Sequence, residues 1–106
     1  MPEKEIEEMK NRLARGLKPQ RIYLFGSFVD GTFTDESDFD FYIVVNDNAG
    51  NLIDLTAKAY AVIGNDRKRP VDILIGRNTR FEKMKDLPTV EREVYKKGVL
   101  LYGRVD

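Results

Sequence analysis

The sequence contains no cysteine and no histidine among its 106 residues. Without cysteine there is no disulfide, no thiol nucleophile and no thiolate metal site. Without histidine, a Ser-His-Asp triad and a histidine-ligated zinc site are also excluded. Carboxylates, hydroxyls, lysines and arginines remain for catalysis, and this set favours oxygen-coordinated magnesium or manganese over zinc.

An excess of charge and a long apolar segment are absent as well. The 18 basic and 18 acidic residues give zero net charge, which provides no general attraction to nucleic acid or to an anionic membrane. No apolar run approaches the roughly 20 residues that span a bilayer, and the first residues lack a signal-peptide pattern. We therefore expect a soluble cytoplasmic protein. Its length and its hydrophobic content of 42% predict a single domain over residues 1–106.

Hydrophobic periodicity and turn residues predict an alternation of helices and strands. We expect helices over 3–16, 51–63, 78–86 and 88–97, a short helical turn after Gly26-Ser27, and strands over 21–25, 39–45, 71–75 and 99–102. This order predicts a small α/β or α+β domain in which one sheet carries helices on one face.

Two aspartates open the second predicted strand. Alternate residues of a strand lie on one face, so Asp38 and Asp40 point the same way, while Phe39 and Phe41 point the other. At ~4 Å and an effective dielectric constant of ~20, two such charges repel by roughly 4 kcal/mol. A hard divalent cation offsets that repulsion directly, so the pair predicts a metal site rather than two solvent-facing carboxylates.

Two further features belong with this pair. Asp72 interrupts an apolar strand; it either partners Arg67 or Arg69, or completes a three-carboxylate cluster if the two strands are neighbours. The Gly26-Ser27 pair is by itself a common turn, but between a strand and a helical turn it can present N–H groups and a hydroxyl to a phosphate. The basic run over 67–69 is typical of a solvated segment, with triphosphate binding as the alternative.

Together these residues carry a family resemblance. The chain resembles a minimal nucleotidyltransferase of the DNA polymerase β-like superfamily. The similar positions are Gly26-Ser27, Gly31 four residues after the serine, Ser37-Asp38-x-Asp40 before an apolar strand, and Asp72 within Val71-Asp72-Ile73-Leu74. The segments at Phe81-Glu82 and from Glu91 to Tyr102 also resemble small members, so the resemblance covers the whole chain.

The resemblance implies a mixed β-sheet and transfer of a nucleoside monophosphate from a nucleoside triphosphate, AMP from ATP being the expected case, to an acceptor hydroxyl. By position, Asp38 and Asp40 would bind Mg²⁺ (or Mn²⁺), and Asp72 would help hold the catalytic metal and orient or deprotonate the acceptor. Gly26 and Ser27 would hold the triphosphate. A two-metal in-line displacement agrees with the carboxylate pattern.

One departure from the family concerns charge. Many members have a basic residue where this chain has Asp30, and loss of that cation would weaken triphosphate binding.

Small free-standing members often accompany a HEPN-type toxin, so the resemblance implies an antitoxin that adenylylates a protein partner. The alternatives are a catalytically silent antitoxin that acts by contact, and nucleotidyl transfer to RNA or a small molecule. Neutral charge disfavours nucleic acid as the acceptor, and the sequence leaves a homo-oligomer open.

Overall fold

A computed structural model describes residues 2–65 and 67–103 of the chain. These residues form five helices and four strands, and every predicted element is confirmed. In chain order they are α1 (Glu3–Leu17), β1 (Arg21–Phe25), α2 (Ser27–Asp30), β2 (Phe39–Val45), α3 (Leu52–Ile63), β3 (Val71–Arg77), α4 (Asn78–Met84), α5 (Val90–Lys97) and β4 (Val99–Gly103).

Two helices begin later than predicted because of their capping residues. The Asn51 side chain accepts hydrogen bonds from the backbone N–H groups of Ile53 and Asp54, so Asn51 is the N-cap and α3 begins at Leu52. Thr89 accepts from the Arg92 N–H in the same way, and α5 therefore begins at Val90 rather than at residue 88.

The sheet has the strand order β3-β2-β1-β4. Strand β1 is antiparallel to both neighbours, β2 and β4, whereas β2 and β3 are parallel. The parallel pair requires a crossover connection, which α3 provides. The mixed sheet confirms the predicted fold class and places β2, which carries Asp40, between β1 and β3.

Helices cover both faces of this sheet, so the prediction of helices on one face was wrong in that detail. The larger core cluster joins α1, α2 and α3 to one face through residues such as Leu13, Phe41 and Ile63. On the opposite face, Tyr42 packs with Phe81 of α4 and Val94 of α5. The physical reason lies in β2, whose near-continuous apolar run is typical of a strand that is buried on both sides.

None of the helices in the described ranges combines the length and the apolar content needed to cross a membrane. That the whole chain forms one domain stays a prediction, and residues 1, 66 and 104–106 of that predicted domain lie outside the described residues.

Candidate active site

The turn after β1 brings backbone against a carboxylate. Gly26 has φ 81° and ψ −151°, a conformation that is essentially restricted to glycine, and α2 begins at the next residue. A Cβ atom added at Gly26 would overlap Oδ2 of Asp40 and lie 3.1 Å from its Cγ. Glycine is therefore needed here for two reasons, and the Gly26-Ser27 turn lies directly beside the Asp40 side chain.

The strand register brings two predicted site residues together. Asp40 is the partner of Phe25 in β1 on one side and of Asp72 in β3 on the other. Side chains of directly paired residues in neighbouring strands lie on the same face of the sheet. Asp38 lies just before β2, two residues ahead of Asp40, so the three aspartates are gathered at one end of β2 and β3.

The electrostatics of Asp40 reflect this crowding. Burial, followed by the charges of Asp72 and Asp38, raises the pKa of the Asp40 carboxyl from its ordinary 3.8 to about 6. Asp38 and Asp40 are partly buried, whereas Asp72 is exposed on the edge strand. Asp40 is thus partly buried beside two like charges, whereas Asp72 is open to solvent.

The donor chemistry of the three aspartates fits a hard divalent cation such as Mg²⁺, because every available ligand atom is a carboxylate oxygen. As they stand, no three Cys, His, Asp or Glu side chains within residues 2–65 and 67–103 are grouped closely enough to hold a metal ion. Three like charges without a cation repel one another, so a bound ion would have to draw these side chains together. The metal role of Asp38, Asp40 and Asp72 stays a prediction.

The alternative interpretation of Asp72 as an ion-pair partner is not supported. Arg67 donates to the carbonyl of Gly64, and Arg69 donates to the carbonyls of Asp35 and Ser37. Within the described part of the chain, neither arginine forms an ion pair with Asp72. The basic segment over 67–69 is solvated at Lys68 only, since both arginines are partly buried.

Asp30 is engaged in its own loop. Its Oδ1 accepts hydrogen bonds from the backbone N–H of Thr32 at 3.0 Å and from the Thr32 hydroxyl at 2.6 Å. These bonds lower the pKa of the Asp30 carboxyl, so it is ionised at neutral pH. Asp30, Gly26 and Lys97 line one cleft together with Glu93, and the Lys97 ammonium lies 3.3 Å from a carboxylate oxygen of Glu93, so this cation already has an acidic partner.

A buried hydrogen bond beneath the site was missed from the sequence. The Tyr42 hydroxyl donates to Oε2 of Glu91 at 2.8 Å and thereby joins β2 to α5. Burial, together with this bond to Glu91, raises the pKa of the Tyr42 phenol. A Cβ at Gly76 would overlap the Tyr42 hydroxyl, so that glycine leaves room for the pair. A tyrosine within an apolar strand was the available signal, because a buried hydroxyl requires a partner.

The chain matches a known protein family over most of its length. Residues 7–106 match the family described as "Polymerase beta, Nucleotidyltransferase". No protein of curated function matches the chain significantly.

Two solved structures share the fold. A candidate nucleotidyltransferase from Sulfolobus solfataricus is 21% identical with a TM-score of 0.65, and the match covers 95% of this chain and 79% of that one. A toxin–antitoxin structure with AMP-PNP contains a chain that is 25% identical with a TM-score of 0.58, over 92% of this chain and 73% of that one.

Proposed function

The chain belongs to the polymerase β nucleotidyltransferase family, and from this premise we propose that it transfers AMP from ATP to a hydroxyl group of a protein partner. The observation that carries the proposal is the direct pairing of Asp40 with Asp72 beside the Gly26 turn. The closeness of two carboxylates to a glycine turn supports metal binding beside a phosphate site.

The residues have distinct roles in this proposal. Asp38 and Asp40 hold Mg²⁺ or Mn²⁺, with Asp72 as a further ligand. Bound ions of this kind neutralise charge on the phosphate oxygens and on the attacking and leaving oxygens. Gly26 and Ser27 bind the triphosphate through backbone N–H groups and the serine hydroxyl.

Asp72 acts on the acceptor. Its carboxylate orients the acceptor hydroxyl and takes its proton while the hydroxyl oxygen bonds to the α-phosphorus. The bond from the α-phosphorus to the bridging oxygen breaks, and pyrophosphate leaves. The exposure of Asp72 on an edge strand supports this role, because the acceptor must approach from outside the nucleotide site.

The partner is proposed from similarity. A structural neighbour at 25% identity is described as a toxin–antitoxin with AMP-PNP, which supports both an adenine nucleotide and a toxin partner. The HEPN type of that toxin follows from the family resemblance. In this proposal the protein is a cytoplasmic antitoxin that silences its partner by adenylylation.

The test combines the wild-type protein with the product of the neighbouring gene, α-labelled ATP and Mg²⁺. We expect label on the partner protein. Asp72→Asn should lose transfer by roughly 100-fold or more, in the range of general-base effects, while it keeps much of the affinity for nucleotide and partner. Glu36→Gln is the matched control, because Glu36 is an exposed acid of the loop before Asp38.

The phenotype separates modification from contact. An adenylylating antitoxin with Asp72→Asn should bind its partner without silencing it. Full silencing by this variant, with no nucleotide on the partner, would falsify the catalytic proposal in favour of an antitoxin that acts by contact. Label found on RNA or on a small molecule instead of the protein would contradict the proposed acceptor.

A further inference from the structure

The Arg69 side chain contacts two aromatic rings and the backbone of a loop. Its Cζ lies 5.0 Å from the ring centroid of Phe28 and 5.2 Å from that of Phe39. Its Nη1 donates to the carbonyl oxygen of Ser37 at 3.3 Å and to that of Asp35 at 3.4 Å. The Nε atom is buried and has no acceptor among the described residues. This partly buried guanidinium is therefore packed against the two rings and the loop backbone and does not point into solvent as a free cation.

The partners of Arg69 lie next to the predicted site residues. The Ser37 carbonyl belongs to the peptide that leads directly into Asp38, and Phe39 lies between Asp38 and Asp40. Phe28 is the second residue of α2 and follows Ser27. The Arg69 side chain thus contacts α2, which follows the Gly26-Ser27 turn, and the segment that carries Asp38 and Asp40.

The backbone next to Arg69 adds a link to the third segment. The Pro70 carbonyl accepts a hydrogen bond from the Phe39 N–H at 3.1 Å. Asp72 follows two residues later in β3. The residues around Arg69 therefore join the start of β2 to the start of β3, where Asp40 and Asp72 face each other.

The loop before Asp38 requires such a clamp. Residues 31–36 are exposed, although Phe33 stacks on Phe28 with ring centroids 4.8 Å apart. Apart from the bond between the Ser37 carbonyl and Arg69, the hydrogen bonds of Thr34 and Ser37 remain within the loop. Asp38 and Asp40 are two residues apart in the chain, so their carboxylates repel each other when no cation is present. Without the bonds from Arg69, the segment between Phe33 and Asp38 would be held only by bonds within the loop, which would allow Asp38 to move away from Asp40.

We propose that Arg69 is a positioning residue that clamps residues 35–37 onto Phe28 and Phe39 and so holds Asp38 where it can share a cation with Asp40. This role of Arg69 rests on the proposed function, because it requires that the aspartates bind metal. A planar guanidinium can stack on two rings and bond two carbonyls at once, which an ammonium group cannot. Arginine is therefore required at this position, and not merely a positive charge.

The test compares Arg69→Met, Arg69→Lys and the control Lys68→Met. Methionine keeps the apolar contact with the rings but loses the charge and the donors, whereas lysine keeps the charge. Lys68 is the adjacent exposed cation. The first measurement is the shift in Tm on titration of Mg²⁺ at a fixed concentration of AMP-PNP. The second is hydrogen exchange of the amides of residues 34–39 in the metal-free protein.

We expect Arg69→Met to raise the half-saturating Mg²⁺ concentration at least tenfold and to speed exchange of the loop amides by a similar factor, with β1 unchanged. Arg69→Lys should move both readouts in the same direction by less, and Lys68→Met should match wild type. If Arg69→Met does not fold, Arg69→Lys decides the question.

Two results would overturn the inference. In the first, the Arg69 variants have a lower metal-free Tm but the half-saturating Mg²⁺ concentration of wild type, which is the result for a purely structural residue. In the second, exchange over residues 34–39 is unchanged. A wild-type protein that shows no Mg²⁺-dependent shift would contradict the proposed function instead, and the exchange measurement would then decide on the clamp alone.

Discussion

Replacing Asp40 by asparagine should stabilise the metal-free protein although it removes a residue proposed to be essential for catalysis. In the folded chain the Asp40 carboxyl lies against Gly26, and burial and the charges of Asp72 and Asp38 raise its pKa to about 6. Its ionisation is therefore less favourable in the folded state than in the unfolded state. Asparagine keeps the shape of the side chain and removes the charge, so the cost of holding an ionised carboxylate in the folded protein disappears.

The magnitude follows from the pKa. The change from 3.8 to about 6 corresponds to about 3 kcal/mol in an unscreened site, since one pKa unit is about 1.4 kcal/mol. The side chain is partly exposed, so solvent screening reduces the effect to about 1–2 kcal/mol. In a domain of this size, that is a rise in Tm of about 5–10 °C.

The effect has a defined dependence on pH. Below the ordinary pKa of 3.8, Asp40 is protonated in both states, and the variant should have the same stability as wild type. Between 3.8 and about 6, the unfolded state releases its proton while the folded state retains it, so the wild type loses stability as the pH rises. Above the folded pKa of about 6, the full difference between Asp40→Asn and wild type should be present.

Thermal unfolding in the presence of a chelator over this pH range measures the difference, with Glu36→Gln as the control for removal of a nearby acid. Addition of Mg²⁺ and AMP-PNP should reverse the order of stability, because ligand binding stabilises only a protein that can hold the ligand. A different result would be an Asp40→Asn protein that is less stable than wild type at neutral pH without metal, with no stabilisation of either protein by metal–nucleotide. The Asp40 carboxylate would then be structural, and its proposed role as a metal ligand would be contradicted.

Two other predictions follow from contacts at the site. Gly26→Ala should lower the free energy of unfolding by about 1–3 kcal/mol, because the conformation of Gly26 is restricted to glycine. It should also abolish transfer, since the added Cβ overlaps Asp40. Ser27→Ala should reduce nucleotide affinity only modestly, because the backbone N–H groups remain. Equal and negligible effects of both changes in a nucleotide-binding assay would show that the triphosphate binds elsewhere. Tyr42→Phe should lower the free energy of unfolding by about 1.5–3 kcal/mol, because it leaves buried Glu91 without its donor. Urea denaturation measures this loss, and a change below about 0.5 kcal/mol would mean that Glu91 has another partner.

The contrast between Asp38 and Asp72 indicates what could be predicted from the sequence. That Asp38 and Asp40 share a face is a prediction from the two-residue period of a strand, which involves only neighbouring residues, whereas β2 itself begins at Phe39. The position of Asp72 beside Asp40 depends on the pairing of β2 with β3, and the sequence left an ion pair with Arg67 or Arg69 as the alternative. The parallel register, which forms across the α3 crossover, places the two aspartates opposite each other.

The order and type of the elements could be predicted from the residues alone, because capping residues and apolar periodicity act over a few positions. The sequence also excluded thiol and imidazole chemistry, since those side chains are absent. The cover of helices on both faces of the sheet and the contact of Tyr42 with Glu91 depend instead on tertiary packing. Tertiary packing also sets the Arg69 guanidinium against the neighbouring rings of Phe28 and Phe39. These contacts join residues that are 30 or more positions apart, and only the packing of the whole chain brings such residues together.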